Sequence, residues 1–232
     1  MAVEALTVKR IEGPVSQPSP WTIPVGTNGM LLVVIFVESA HITSNTPTMT
    51  YGGQSMTRVL HVENIDAAKI NSATLFVLNN AGLLAATGNN FVLTWSSYTP
   101  NSIVNILFPM QNVDQLTYLY DYDTDSSTGS TSITSSLDGI DGGYAFVAFT
   151  RGDQNTSHTF TGTGWSEIID NAHDVQRVGF AEKFLTSNDA ESVSHARDDS
   201  DTMFRPATIA AVISPVLPTV RTGIMTNVGM WG

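Results

Sequence analysis

Residues 30–37 read Met-Leu-Leu-Val-Val-Ile-Phe-Val, eight consecutive apolar side chains of which four are β-branched. Asn28-Gly29 precedes the run and Glu38-Ser39 closes it. A helix of this length would want caps and a one-sided apolar stripe, and neither is present. A strand covered on both faces needs an unbroken apolar run of this kind, so the stretch is expected to be the central strand of a sheet. Downstream, residues 48–51 and 54–61 flank Gly52-Gly53. Glycine supplies the positive φ that a tight turn between antiparallel strands demands, and the segment reads as a hairpin.

Further strands are expected at 3–11, 72–78, 90–97, 102–110, 142–150, 175–184, 192–196 and 206–215. Pro109 near the end of its strand points to a bulge or a sheet edge, because proline donates no ladder hydrogen bond. Residues 14–24 hold four prolines in eleven positions and should form an extended connection. Residues 64–71 read as a loop or one helical turn, and 121–136 as a polar low-complexity stretch, a loop leading into a Ser/Thr-rich strand. The strands at 175–184 and 192–196 read as a hairpin around 186–189. Ten to twelve strands with no long helix imply an all-β fold, a two-sheet antiparallel β-sandwich that is jelly-roll-like. The sandwich domain is placed at 28–215, an N-terminal strand and Pro-rich arm at 1–27, and a C-terminal arm at 216–232. No fixed-period internal repeat is evident.

The buried run at 30–37, the Thr-Tyr-Gly-Gly-Gln-Ser-Met-Thr segment at 50–57, the strand at 73–78 and the return strand at 88–96 together resemble a β-sandwich family of bacterial surface proteins and phage virion proteins. The resemblance extends more loosely through 103–115, 142–150 and 206–215. It departs at 79–88, where the family has a Pro-x-x-Gly turn and this chain has Asn79-Asn-Ala-Gly-Leu-Leu-Ala-Ala-Thr-Gly88. The resemblance implies a display scaffold and brings no catalytic residues with it.

Only 13% of the chain is charged, and the net charge is −11. That balance repels phosphate backbones, and no Lys/Arg cluster is present to release counterions, so no nucleic-acid partner is expected. With no cysteine, neither disulfides nor thiolate metal sites hold the fold. The N-terminal residues lack the basic and apolar regions of a secretory signal. The apolar run is far too short to cross a bilayer, so no membrane is expected. A display scaffold without an export signal fits a product assembled in a host cytoplasm and carried in a virion.

Asp121, Asp123 and Asp125 have the spacing of the first ligands of a calcium loop, but Ser126 and Ser132 stand where that loop needs Gly and Glu. A solvated acidic loop with no cofactor is expected, and a Ca²⁺ site of another type at these three residues is the alternative. Asp198, Asp199 and Asp201 form a second acidic cluster on the same terms. Arg151-Gly152-Asp153 spells the integrin-binding tripeptide at a strand-to-turn junction, which three residues do by chance. The histidines lack zinc-helix spacing and no Gly-x-Ser-x-Gly is present, so no catalytic residues are assigned and the chain is not expected to be an enzyme. Tyr98, Tyr118, Tyr120, Tyr122 and Trp165 are candidates for a sugar-stacking platform, with core or subunit interface as the other reading.

Trp21 in the Pro-rich segment is either a lid on the core or a contact on a partner. Ile224, Met225, Met230 and Trp231 make the C-terminal arm apolar, so it packs on a neighbouring subunit or back on its own sandwich. The function expected is that of a structural bacteriophage virion protein, a capsid decoration (cement) protein. Its partners would be further copies of itself, a trimer being one form, and a major capsid or other virion protein. A carbohydrate-binding or adhesive module of a tail fibre or bacterial surface protein is the alternative.

Overall fold

The computed structural model describes residues 1–7, 9–12, 19–40, 46–66, 69–152, 156–199 and 201–217. The chain is nearly all β, with 59% strand and 3% helix in several antiparallel sheets. In chain order the strands are β1 (Glu4–Ala5), β2 (Lys9–Glu12), β3 (Ser19–Pro20), β4 (Met30–Ser39), β5 (Pro47–Tyr51), β6 (Gln54–Ser55), β7 (Thr57–Ile65) and β8 (Ile70–Leu78). The short helix α1 (Asn80–Ala85) follows, then β9 (Asn90–Trp95), β10 (Ser102–Gln111), β11 (Leu119–Asp125), β12 (Ser132–Asp138) and β13 (Tyr144–Arg151). The last five are β14 (His158–Thr161), β15 (Ser166–His173), β16 (Gln176–Phe184), β17 (Ala190–Arg197) and β18 (Ala207–Ile213).

Among the described residues four sheets are present where two were expected. An inner N-terminal sheet runs β1-β10-β4-β8-β7, with β2 also on β10, and an outer one runs β3-β9-β5-β6. An inner C-terminal sheet runs β11-β18-β13-β16-β15, and an outer one β12-β17-β14. Three apolar layers separate them. Leu31, Val33 and Ile35 of β4 face Met49, Phe91 and Leu93 of the outer N-terminal sheet. On the opposite face of β4, Leu32, Val34 and Phe36 meet Phe146, Phe180 and Ile209 of the inner C-terminal sheet. Beyond that sheet, Val147, Ala181 and Val212 meet Leu137 and Val193. Outer, inner, inner, outer is the order of the stack.

This layering explains the sequence pattern. Every residue of β4, β8, β13 and β18 is buried, because each strand lies in a sheet covered on both faces, and such strands read as continuous apolar runs. Strands of the outer sheets alternate, as in β12 and β9, because one face meets water. Phe108 lies 5.0 Å from Phe146 and 5.1 Å from Phe180, and these offset rings centre the middle layer.

The two halves of the chain repeat one strand order. The inner path β10-β4-β8-β7 is matched by β18-β13-β16-β15, and the outer pair β9-β5 by β17-β14. The flanking pairs also correspond, β2 on β10 with β11 on β18, and β3 on β9 with β12 on β17. Each half is thus a two-layer unit, and the two stand back to back through their inner sheets. An internal repeat exists in topology that no sequence period announced.

Several local expectations change. The N-terminal segment is no free arm among the described residues, since β1 and β2 pair with β10 and β3 pairs with β9. Pro109 sits inside the sheet, opposite the gap between the stretches of β10 that pair with β2 and with β1. Its carbonyl accepts from Leu6 N, so the missing N–H faces that gap and costs no ladder bond. Gly52 and Gly53 turn the chain at φ 53° and 81° as expected. Beyond them only Gln54–Ser55 returns to β5, and the chain then crosses to the inner sheet as β7. The expected loop in 121–136 is shorter, since 121–125 belong to β11, while β12 is the Ser/Thr-rich strand it leads into, and in 64–71 only 64–65 and 70–71 are strand. β16 and β17 are not a hairpin, for they lie in different layers. The hairpin partner of β16 is β15, across a turn at Asp174, φ 48°.

Candidate functional site

One end of the stack gathers the buried polar groups. The register puts Ser102 opposite Glu38 and Glu38 opposite Asn71 in one inner sheet, and Arg151 opposite Arg177 in the other. The two ends meet through Gln176, whose Nε2 donates to Ser102 Oγ at 2.9 Å and whose Oε1 accepts from Thr150 Oγ1 at 2.7 Å. Glu38 extends the face of Phe36 by two residues, and so enters the middle layer.

There Glu38 meets cations from both halves. Its Oε1 accepts from Arg205 at 2.9 Å and from Lys69 at 3.0 Å, and Arg205 also donates to Asp66 Oδ2 at 2.8 Å. Burial raises the Glu38 pKa against the opposing pull of Lys69 and Arg205. Arg205 is itself buried, stacks on Phe204 at 4.3 Å and holds φ 49°. Beside it Asn64 Nδ2 donates to Ser126 O, Thr128 Oγ1 and Pro206 O at 2.6, 2.9 and 3.0 Å. Apart from the Lys69 pair, which stays within the N-terminal half, the contacts of Glu38, Asp66 and Asn64 join β4, β7 or the turn after β7 to the C-terminal half. Chemically the cluster is a closed clasp, with its charges spent on one another.

A second buried group lies between the C-terminal sheets. His158 and His195 of the outer sheet both pack on the Phe149 ring of the inner one, at 4.3 and 4.4 Å. Arg151 is fully buried next to them and donates to Thr156 O. That places the first residue of the Arg-Gly-Asp tripeptide in the interior, out of reach of a receptor. Asp153 lies outside the described residues.

A hydroxyl–imidazole–carboxylate line also occurs, with His61 Nδ1 at 2.8 Å from Thr74 Oγ1 and Nε2 at 2.9 Å from Glu63. Thr74 is 1% exposed on an internal strand, so no substrate reaches its hydroxyl. The line is a cross-strand brace, since His61 and Thr74 are register partners.

The acidic residues singled out in the sequence share one face of β11. Asp121 Oδ2 accepts from Asp138 N at 2.6 Å and Asp123 Oδ2 from Ser136 N at 3.2 Å, so both carboxylates tie β11 to the backbone of β12. Asp125 Oδ1 caps its own turn through Ser127 N at 2.5 Å. Among the described residues no group of three or more acidic or histidine side chains is arranged to hold a metal. In the second acidic cluster, Asp199 pairs with Arg197 at 2.5 Å and that contact lowers its pKa. Asp198 accepts from Ser157 and Thr159.

The aromatic candidates divide. Tyr118 and Trp165 pack against apolar layers, and Tyr98 is half-buried. Tyr120 and Tyr122 are exposed on the face of β11 opposite the aspartates. Tyr120 walls an open groove of about 720 Å³ with Asp141, Asn188 and the segment 215–217. Trp21 stacks on Phe91 at 6.4 Å, and its carbonyl accepts from Tyr51 OH at 3.1 Å, so it covers the outer N-terminal layer. Ile224, Met225, Met230 and Trp231 lie outside the described residues, as does His41.

Sequence reading gave no sign that Glu38, Asn64, Arg151, His158, His195 and Arg205 are buried, because charged and polar residues are ordinarily solvated. The one available signal was parity, which carries Glu38 onto the same face as Phe36. Comparison of the chain with protein-family models, with curated proteins and with solved structures finds no match.

Proposed function

We propose that this chain is a structural protein of a bacteriophage virion, a capsid decoration (cement) protein that assembles with copies of itself and stiffens the shell it sits on. The observation that carries the reading is the repeated unit joined back to back, whose buried charges are committed to fastening the halves. We read each half as a jelly-roll-like sandwich with one strand transferred between its sheets, an architecture that viral capsid and lectin domains share. Such a stack resists deformation, because the central strands of each inner sheet are covered on both faces and close-packed layers transmit strain. No chemical step is assigned to it.

Attachment falls to the C-terminal arm. Residues 218–232 continue from the rim of the Tyr120 groove and bring Ile224, Met225, Met230 and Trp231. Burying such side chains on a neighbour contributes roughly 25 cal/mol per Å². Sedimentation of the full chain and of a chain lacking 219–232 tests this, with loss of the oligomer expected on truncation. An unchanged oligomer removes the arm from the assembly. Mass spectrometry of purified particles from the source culture tests the virion assignment, and absence of the chain from intact particles ends it.

The groove favours a second reading, a carbohydrate-binding module. An exposed tyrosine ring beside a carboxylate and an amide is the chemistry that receives a sugar ring. A glycan array with the purified protein, compared with a Tyr120→Ala variant, separates the two. Sugar binding that depends on Tyr120, in a protein absent from particles, favours the module.

A further inference from the structure

His158 and His195 stand on neighbouring strands of the outer C-terminal sheet and are 3% and 1% exposed. Phe149 of β13 packs against both, its ring inclined 28° to one imidazole and 7° to the other, and the two imidazoles are 5.6 Å apart. Gly179, the register partner of Phe149 on β16, leaves room for that ring. His195 Nε2 meets Thr208 Oγ1 of β18 at 3.0 Å, while Nδ1 of His195 and both ring nitrogens of His158 have no hydrogen-bond partner among the described residues. Buried polar atoms are nearly always paired, so three orphaned imidazole nitrogens in one apolar sandwich need a reason.

We propose that His158 and His195 form an acid-operated latch, which holds the sheet β12-β17-β14 on its inner neighbour while both rings are neutral and releases it when they take up protons. The charged groups around the pair make the open form the better proton acceptor. Arg151 faces it from β13, Arg177 from β16 and Arg197 from β17. The carboxylates in reach are engaged elsewhere. Asp170 of β15 holds Arg177 at 2.5 and 2.6 Å and accepts from the His158 backbone N–H at 2.9 Å. Asp125 of β11 caps its turn, Asp199 holds Arg197, and Asp198 accepts from Ser157 and Thr159.

An imidazolium formed here would be buried beside guanidinium groups with no free anion among the described residues, a state that costs several kcal/mol unless the group escapes to water. Burial, reinforced by Arg151 and His195, holds the His158 pKa down to about 2. Burial holds His195 down to about 3 against the pull of Asp125. The escaping piece is the three-stranded sheet that carries both rings, the smallest of the four. Its departure uncovers Val147, Ala181 and Val212 and leaves the middle layer closed.

With ordinary histidine affinity in the open form, lowering the pH from 7.5 to 5.0 favours opening about thirty-fold per ring, close to a thousand-fold for both. Hydrogen–deuterium exchange of the full chain, corrected for the intrinsic pH effect, reads this directly. Expected is a loss of protection of at least ten-fold at pH 5.0 in β12, β14 and β17, reversible on return to pH 7.5, with β4 and β8 unchanged. The double variant H158F/H195Q, in which the amide introduced in place of the second imidazole still reaches Thr208, should show no such loss. The proposal is overturned if protection falls equally in all sheets, stays constant, or falls in the double variant as in the parent. Should the variant not fold, the histidine carbon resonances of the parent decide. Both rings titrating near 6.5 with β17 still protected overturns the latch, and titration that coincides with loss of β17 protection upholds it.

Discussion

Arg205 NH2 lies 2.9 Å from Glu38 Oε1, an ion pair whose members are 167 positions apart in the chain and 3% and 1% exposed. It ties the end of β4 to the segment that leads into β18, and so joins the two repeated units at one point of their shared layer. Among the described residues the pair has no equivalent in the opposite direction, which makes the contact between the halves directional despite their common strand order.

Removing one member of a buried pair strands the other charge, at about 3–5 kcal/mol. Arg205→Met still leaves Glu38 its Lys69 partner at 3.0 Å, so it is expected to lower unfolding stability by less, about 1.5–3 kcal/mol, in urea titrations. The double replacement E38Q/R205M should recover a substantial part, because neither charge is then left buried. A double variant no more stable than the single one would show that the pair does not act as a unit.

Stability should fall as pH drops from 7 to 5. A histidine held neutral in the folded state binds its proton in the unfolded state first, so stability is fully present above 6.5 and is lost progressively toward the folded values of about 2 and about 3. Each ring then costs about 2 kcal/mol at pH 5. The lowered pKa values of Asp114, Asp198 and Asp199 add a loss that begins at the usual carboxylate range, while the raised values of Glu38 and Glu167 oppose the histidines just above it. Urea midpoints at pH 7.5, 6.0 and 5.0 measure the slope, and a flat profile contradicts it.

A methyl group at Gly179 would overlap the Phe149 ring. Gly179→Ala is therefore expected to cost about 1–3 kcal/mol by overpacking and to shift Phe149 against the two imidazoles. The thermal midpoint and the ring-current shifts of the two histidines report both effects, and a neutral substitution would mean the ring has room to move.

Asp121 and Asp123 act here as backbone acceptors. D121N and D123N, which keep an acceptor oxygen, are expected to retain most stability, while D121A and D123A each lose about 1 kcal/mol or more. Incubation with EDTA should leave the melting temperature unchanged. A fall on chelation that Ca²⁺ restores would instead make these residues ligands.

The residues by themselves determined the β class and the central strands of the two inner sheets, though not β11 or β15. A strand covered on both faces must be apolar throughout, and residues 30–37, 72–78, 102–110, 142–150 and 206–215 say so directly. They also determined the Gly52-Gly53 turn, because positive φ has a residue signature. Partner choice was another matter. β16 and β17 follow one another in the chain as hairpin strands do, yet the polar connection at 186–189 carries the chain between layers, and nothing local distinguishes a turn within a sheet from a crossing between sheets. β11 and β14 were hidden because polar residues form them, held by Asp121, Asp123 and the packing of His158 on Phe149. The repeated strand order, the Arg205–Glu38 pair and the two buried imidazoles exist only once distant segments share a layer. Burial of a charge or a ring is set by what arrives from elsewhere in the chain, and that is a property of the tertiary structure alone.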